Sequence, residues 1–295
     1  MRKSVVRLFA FFILFNSCEK GISFNLHQAD AQLVVDGSIE NDKAPMIILS
    51  NSLDYFSKIS PSILEKSFVH NALVTLSDGT KTQQLKEYAV PLSTEDSIYY
   101  YSIDSSNLSN AFVGKFNSQY ALHIEAAGKT YDANTTIPSL AKKIDSLWWI
   151  KAPDNPDSNK VILMSKVTDP PGLGNYIRYF TRVNDSLFYP GLNSVYDDQI
   201  VDGTTYSIQV EKGVDRNQSI DFENYSFFER GDTVTVKLCN IDKATFDFWR
   251  TMEFSYQSVG NPFSTPTKVL GNISNGALGY FGGYAAQYKG LIIPK

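Results

Sequence analysis

Apolar and polar residues alternate along most of residues 31–140, a period of two that is typical of half-buried β-strands. The clearest case is ALVTLSDGTKTQQLKEY, two alternating runs joined around Asp78 and Gly79, which predicts a hairpin. A second hairpin is predicted where SQYALHIEAAGKTYDANTTIP folds back at Gly128. About six or seven short strands, with turn signals roughly every 8–12 residues, favour an Ig-like β-sandwich over this segment.

The second part of the chain, residues 141–295, continues the β pattern and carries one helix. Stretches such as NKVILMSKVTD, NYIRYFTRVND and DTVTVKLCNID are typical of strands. The hydrophobic period becomes helical in the stretch IDKATFDFWRTMEFSYQ, where Phe246 and Trp249 follow helical spacing. Asp242 is a suitable N-cap, so a helix is predicted near residues 242–256. The predicted fold class is mainly β: an N-terminal Ig-like β-sandwich domain followed by a C-terminal β-rich domain with one helix.

Two stretches have no clean period. LDYFSKISPSILEK, residues 53–66, contains Pro61 and is predicted to be a loop. The tail GNISNGALGYFGGYAAQYKGLIIPK mixes glycine with aromatic residues. That mixture predicts a closely approached backbone, followed by a last strand at residues 284–293.

The first residues have the layout of a secretory signal. Three basic residues precede an apolar run at residues 8–15, which is too short to span a membrane because a spanning helix needs about 20 apolar residues. Ser17 and Cys18 follow, an order that resembles the bacterial lipobox, in which the leader is cut before a cysteine that is then acylated. We expect a lipoprotein signal peptide at residues 1–17, lipid attachment at Cys18 and a tether at residues 18–30. The alternative is an ordinary secretory leader with Cys18 near the cut by chance.

Composition and charge limit the classes of partner. With 43% hydrophobic and 20% charged residues, the chain has the composition of a globular protein. Its formal net charge of −4 becomes more negative once the basic residues of the leader are removed. Because nucleic-acid binding requires clustered Lys and Arg, we expect no nucleic-acid partner.

The sequence contains no catalytic constellation, and we expect no catalytic residue, no cofactor and no bound metal. The three histidines are scattered and no Cys-x-x-Cys pair occurs. Cys239, at the end of an alternating strand, is expected to be a buried packing thiol rather than a nucleophile. The acidic loop at residues 154–159 fails the EF-hand template. Calcium binding by that loop, or by Asp197 and Asp198, is left open.

Aromatic residues are the other candidates for ligand contact, since the chain has 17 Tyr and 19 Phe. In SIYYYSI, strand alternation places Tyr99 and Tyr101 on one face, where they are candidate ligand-facing aromatics for stacking on a sugar ring or another flat ligand. The alternative is that both fill a half-buried strand surface. The glycines around Tyr280 and Tyr284 favour tight core packing instead.

Several motifs occur in order along the chain: SCEK at the end of the leader, LVVDGSI, ALVTLSDG, GKTYDANTTIP with IDSL, DPPGLGNYIRY, GDTVTVKLCNIDKATFDFWRT and GNISNGALGYFGGY. Together they resemble the Bacteroidota lipoproteins grouped as family 4249 of the domains of unknown function. The resemblance covers nearly the whole chain, and the last two motifs are its most specific part. It implies an exported outer-membrane lipoprotein. Genes for such proteins often lie beside those of TonB-dependent transporters, so it also implies a transporter as partner.

We therefore expect a non-enzymatic accessory lipoprotein, held in the outer membrane by a lipid at Cys18. It would associate with a TonB-dependent transporter in the uptake of a nutrient or metal complex. The first alternative is a surface module that binds glycans or peptides alone, and the second is an enzyme with an unrecognised site. The residues after Cys18 do not decide between the periplasmic and the cell-surface face.

Overall fold

The computed structural model describes most of the chain. The described residues are 30–53, 60–91, 96–153, 155–259, 261, 263–265 and 267–295. The predicted signal peptide and the lipid-attachment residue Cys18 lie outside them. From Ala31 to Lys295 the chain forms one compact unit.

The described ranges contain fifteen strands and two helices. The elements of the first part are β1 (Leu33–Glu40), β2 (Met46–Asn51), α1 (Pro61–Ser67), β3 (Leu73–Ser77), β4 (Thr82–Pro91), β5 (Ser97–Ile103), β6 (Ser118–Ala126) and β7 (Lys129–Ile137). Those of the second part are β8 (Lys143–Lys151), β9 (Lys160–Thr168), β10 (Tyr176–Val183), β11 (Tyr189–Tyr196), β12 (Thr205–Val210), β13 (Phe228–Glu229), β14 (Thr233–Ile241), α2 (Lys243–Ser258) and β15 (Leu278–Ile292). The predicted mainly β class is confirmed.

These strands form two sheets. The large sheet has 11 strands in the order β11-β10-β14-β15-β1-β2-β5-β4-β3-β6-β7, and the small one has the order β12-β9-β13 with β8 also paired to β9. The large sheet is mixed, because β1 and β15 run parallel while its other neighbours run antiparallel. The strands of residues 31–140 thus continue into a sheet shared with the second part. The Ig-like sandwich stays a prediction.

Strand β15 joins the two parts of the chain, since it pairs with β1 on one side and with β14 on the other. A Cβ added at Gly283 would lie 2.4 Å from the carbonyl oxygen of Thr136 in β7, which confirms the predicted close backbone approach. The last strand begins earlier than the predicted residue 284, because the glycine-rich segment pairs with β1 instead of forming a loop. Residues 31–140 and 141–295 share one sheet, and their division into two domains stays a prediction.

Three clusters of buried apolar side chains stabilise the fold. The largest joins β1 and β2 to β3, β6 and β7, with Val35 and Ile124 among its fully buried members. The second lies between the small sheet and strands β10 and β14, and includes Phe228 and Val236. The third packs α2 onto β14 and β15 through Phe246 and neighbouring aromatic rings. The first half of α2 is therefore held against the face of the large sheet.

Helix α1 corrects the loop prediction for residues 53–66 over residues 61–66, while residues 54–59 lie outside the described residues. The Ser60 side chain accepts a hydrogen bond from the backbone N–H of Ile63, which is the geometry of a helix N-cap. Pro61 occupies the first turn, where its missing N–H leaves no intrahelical bond unmade. The proline starts a short helix here, whereas the prediction took it as a breaker.

Helix α2 begins after Asp242, as predicted. One carboxylate oxygen of Asp242 accepts a hydrogen bond from the Thr245 N–H at 2.8 Å, which caps the helix. The other oxygen accepts from the Thr135 hydroxyl and the Thr136 N–H, both at 2.9 Å. The same side chain thus caps α2 and ties it to β7. Neither helix in the described ranges is long and apolar enough to cross a bilayer.

Candidate functional site

A cleft of about 440 Å³ opens where α2 meets the face of the large sheet. Strands β1, β10, β14 and β15 form its floor, and Trp249 of α2 and residues 214–217 form its sides. Arg178 and Lys237 bring positive charge to it, and Asp36 brings negative charge. We call this site the charged cleft.

Arg178 is the best-fixed charged group of the charged cleft. Its side chain is almost fully buried, and its guanidinium carbon lies 3.4 Å from the centroid of the Trp249 ring and 4.7 Å from that of Phe180. Its Nε donates to the Ser194 hydroxyl at 3.1 Å and its Nη1 to the Tyr284 hydroxyl at 3.4 Å. Contact with aromatic faces and directed hydrogen bonds together hold the planar guanidinium in one orientation.

A buried carboxylate on α2, that of Glu253, is linked to Arg178 through Ser194. Glu253 accepts hydrogen bonds from the backbone N–H and the hydroxyl of Ser194, the residue that accepts from Arg178. Arg216 also donates to Glu253, at 3.5 Å. The chain Arg178–Ser194–Glu253–Arg216 therefore links β10, β11, α2 and one side of the charged cleft. Its two arginines and one carboxylate leave an excess of positive charge.

The second positive group, Lys237, lies in an ion-pair network on β14. Its Nζ lies 2.5 Å from a Glu40 oxygen, and Lys43 lies 2.7 Å from the other oxygen. Tyr288 donates to the same carboxylate. Burial alone would raise the pKa of Glu40, but the charge of Lys237 and the hydrogen bonds from Lys237, Lys43 and Tyr288 hold it below its ordinary value. Glu40 therefore stays ionised at neutral pH and orients Lys237.

Aromatic side chains form the wall beside Arg178. The Trp249 Nε1 donates to the Tyr284 hydroxyl at 2.9 Å, and the hydroxyls of Tyr280 and Tyr284 lie 3.2 Å apart. The rings of Phe248 and Tyr280 stack with centroids 4.3 Å apart. Burial raises the pKa of Tyr284, so its hydroxyl remains protonated. The wall thus places mostly buried aromatic rings next to the Arg178 guanidinium.

This arrangement suits the binding of a polar, flat ligand. Arg178 and Lys237 attract an anionic or strongly accepting group, and the Arg178 guanidinium is stacked on the Trp249 ring. Asp36 of β1 adds a carboxyl group to the lining; burial raises its pKa, while a hydrogen bond with Tyr280 opposes that rise. Sugars and peptides carry such combinations of groups.

The residues of the charged cleft come from several of the motifs that carry the family resemblance. Asp36 lies in LVVDGSI, Arg178 in DPPGLGNYIRY, Lys237 and Trp249 in GDTVTVKLCNIDKATFDFWRT, and Tyr284 in GNISNGALGYFGGY. Reasoning from the sequence did not single out Asp36, Arg178 or Lys237. The available signal was a charge inside an otherwise apolar strand, as at Arg178 in YIRYF, because such a charge has to be paired.

The candidate ligand-facing aromatics lie elsewhere. Tyr101 is buried in the largest core cluster, and its hydroxyl lies 2.9 Å from the carbonyl oxygen of Val69 and 3.0 Å from a Glu87 oxygen, either of which can accept its proton. Tyr99 is half-buried, and its ring packs edge-on against His70 with centroids 4.4 Å apart. Neither lies among the residues that line the charged cleft. A ligand-facing role for Tyr99 and Tyr101 stays a prediction.

Cys239 is the buried packing thiol that the sequence predicts. Its side chain is fully buried in the cluster beneath α2. Burial raises the pKa of the Cys239 thiol to about 12. The thiolate is therefore not populated at neutral pH, and a nucleophilic role is disfavoured.

Three carboxylates meet beside the loop that precedes β10. Oxygens of Asp169, Asp198 and Asp202 lie within 4.8 Å of one another. Lys142 lies 3.0 Å from Asp169, and both of these side chains are fully buried. The lysine ammonium thus supplies positive charge to this group, so we read it as an internal ion pair. Of the other loop considered for calcium, Asp154 lies outside the described residues.

Comparison with known protein families agrees with the motifs. The family described as a domain of unknown function, DUF4249, matches residues 19–289. The match covers nearly the whole chain, and the chain belongs to this family. No curated protein matches the sequence.

Proposed function

We propose that the chain is a non-enzymatic lipoprotein, anchored in the outer membrane at Cys18, that binds a ligand in the charged cleft. It would act with a TonB-dependent transporter in the uptake of a nutrient or metal complex, as the family resemblance implies. The observation that carries the binding role is the Arg178 guanidinium, fixed 3.4 Å from the Trp249 ring centroid with Lys237 on the neighbouring strand. Binding sites combine such oriented polar groups with apolar surface.

The charged cleft holds groups of both signs. Three cations, Arg178, Arg216 and Lys237, and three carboxyl groups, Asp36, Glu40 and Asp215, line it. Such a lining suits a ligand that carries both a carboxylate and hydroxyl groups. A sugar acid carries a carboxylate, which matches the cations Arg178 and Lys237, and several hydroxyl groups, which match the carboxyl groups of the lining. We therefore test acidic glycans first.

The binding test uses the full-length chain purified in mild detergent and the fluorescence of its tryptophans. We expect oligogalacturonides to change the emission, and neutral dextran oligomers of equal length to change it less. Lys237→Gln should weaken oligogalacturonide binding about tenfold, because it removes one charge from the cleft. Lys243→Gln, an exposed lysine of α2, is the matched control and should bind normally. Binding that is equal in Lys237→Gln and the unaltered chain would contradict the assignment of the cleft.

A second experiment tests the partner. If the chain acts with a transporter, a tagged copy extracted from the outer membrane in mild detergent should co-purify with a TonB-dependent barrel. A chain that emerges alone but binds glycans would support the first alternative, a stand-alone surface module. Consumption of the bound oligosaccharide would support the second alternative, an enzyme.

We also propose that residues 31–140 form an Ig-like β-sandwich. Its support is the largest core cluster, in which β1 and β2 contribute side chains that face those of β3, β6 and β7. Two facing layers with a common core are the hallmark of a sandwich. An experimental structure in which these strands lie in one flat layer would contradict this.

A further inference from the structure

A second cavity lies on the opposite face of the strands that build the charged cleft. Along β10, Arg178 points to the charged cleft, while its neighbours Ile177 and Tyr179 line this cavity. Along β14, Lys237 points to the charged cleft, and its neighbour Leu238 lines the cavity. Successive side chains of a strand point to opposite faces, so the two sites share strands but no lining residue.

The cavity is apolar and large enough for a small molecule. Its volume is about 280 Å³, and it lies between the small sheet and strands β10 and β14. Its lining is dominated by aliphatic and tyrosine side chains, among them Val167, Ile177 and Val210, and the polar residues Asp197 and Gln209 also contribute to it. A cavity of roughly 150 Å³ with such a lining accommodates benzene, while water requires several polar partners. The lining therefore favours an apolar occupant over a water cluster.

One polar group inside this apolar lining has nothing to bind. Ser165 is 2% exposed, and its hydroxyl has no hydrogen-bond partner in the part of the chain that the structure describes. Along β9 the inward positions are Val161, Leu163, Ser165 and Val167, so a serine stands where the alternation calls for an apolar residue. A buried unpaired hydroxyl is destabilising, and such groups require an explanation. A bound ligand that forms a hydrogen bond with the Ser165 hydroxyl would explain it.

The cavity is open on one side. Tyr196 of β11 and Ile208 of β12 line it and are each partly exposed. Ile200 also lines it, although 95% of its surface is accessible to solvent. Apolar side chains therefore surround the opening through which a small ligand would pass.

We propose that this cavity binds a compact apolar molecule carrying one hydroxyl or carbonyl group, which hydrogen-bonds to the Ser165 hydroxyl. The apolar lining selects the body of the ligand, and Ser165 selects its single polar group. The volume limits the ligand to roughly one or two fused rings or a short branched chain. This site is independent of the charged cleft.

The test uses two probes of nearly equal shape, 2-naphthol and 2-methylnaphthalene, which differ by a hydroxyl and a methyl group. Binding to the purified full-length chain is followed by the fluorescence of the probe. We expect both to bind, with 2-naphthol the tighter. Ser165→Ala should weaken 2-naphthol about fivefold and leave 2-methylnaphthalene unchanged or tighter. Ser207→Ala, at an exposed position of β12, is the matched control and should change neither.

A second variant tests the location of the cavity. Ile208→Trp adds volume at the partly exposed opening and should weaken both probes, while circular dichroism reports whether the fold is retained. Ser165→Ala should also raise the midpoint of thermal unfolding, because it removes an unpaired buried hydroxyl. The proposal is overturned if neither probe binds, if Ser165→Ala leaves the ratio of the two affinities unchanged, or if it lowers the unfolding midpoint.

Discussion

Glu40 is a buried carboxylate whose contribution to stability depends on pH. Because Lys237, Lys43 and Tyr288 hold its pKa below the ordinary value of 4.5, the folded state binds this proton more weakly than the unfolded state. Its stabilisation is present above about pH 4.5 and is lost as pH falls through the lower folded value. Glu40→Gln should lower the free energy of unfolding by about 1–2 kcal/mol at pH 7, and by less near pH 3.

The measurement is urea unfolding at several pH values. Other carboxylates with lowered pKa, such as Glu87 and Asp198, titrate in the same range. The contribution of Glu40 is therefore the difference in the free energy of unfolding between the variant and the unaltered chain at each pH. Glu223→Gln, at an exposed carboxylate, is the control and should show a small difference at every pH. If Glu40→Gln changed the free energy of unfolding by the same amount from pH 7 to pH 3, the ionised Glu40 carboxylate would not be stabilised by Lys237 and Lys43 as described.

Cys18 is the residue on which the proposed localisation depends. Cys18→Ser removes the sulfur that would be acylated, and residue 18 lies outside the compact unit Ala31–Lys295. We expect loss of labelling by a fatty-acid analogue and release from the membrane fraction, with unchanged circular dichroism. A single acyl chain holds only reversibly, so stable fractionation requires the complete anchor. Labelling that persists in Cys18→Ser would exclude this cysteine as the attachment site.

At the level of elements, the glycines of β15 differ in what surrounds them. A Cβ at Gly283 would lie 2.4 Å from the Thr136 carbonyl oxygen, whereas a Cβ at Gly290 has Val234 oxygen as its nearest neighbour at 3.8 Å. Gly283→Ala should therefore lower the free energy of unfolding by about 3 kcal/mol, because the backbone of β7 has to move. Gly290→Ala in the same strand should change it by less than about 0.5 kcal/mol. Equal urea midpoints for the two variants would contradict the close packing.

Elements set by local chemistry are the ones that the sequence predicts well. The hairpin at Asp78 and Gly79 and the start of α2 at Asp242 both depend on residues close in sequence. The pairing of β1 with β15 joins the two ends of the chain, and no local pattern encodes it. Arg178 is similar: the strand around it is predictable, but its contact with Trp249 depends on how α2 packs. The charged cleft therefore becomes visible only with the tertiary structure.

At the scale of the whole molecule, β15 makes the two parts of the chain interdependent. It lies between β14 and β1, so neither residues 31–140 nor residues 141–295 complete their sheet pairing alone. We expect both segments to unfold at the same urea concentration. Pulsed hydrogen exchange with peptide-resolved mass spectrometry measures each separately.

Gly283→Ala sharpens this expectation, because it disturbs β15 where that strand passes β7 of the other part. If the molecule is one cooperative unit, the variant should lower the unfolding midpoints of both segments by the same amount. If residues 31–140 and 141–295 are separable domains, as their sequence patterns predict, the midpoints should differ in the unaltered chain and the variant should widen the gap. Coinciding midpoints would mean that the sheet shared through β15 makes the two segments unfold together, in spite of the two-domain pattern of the sequence.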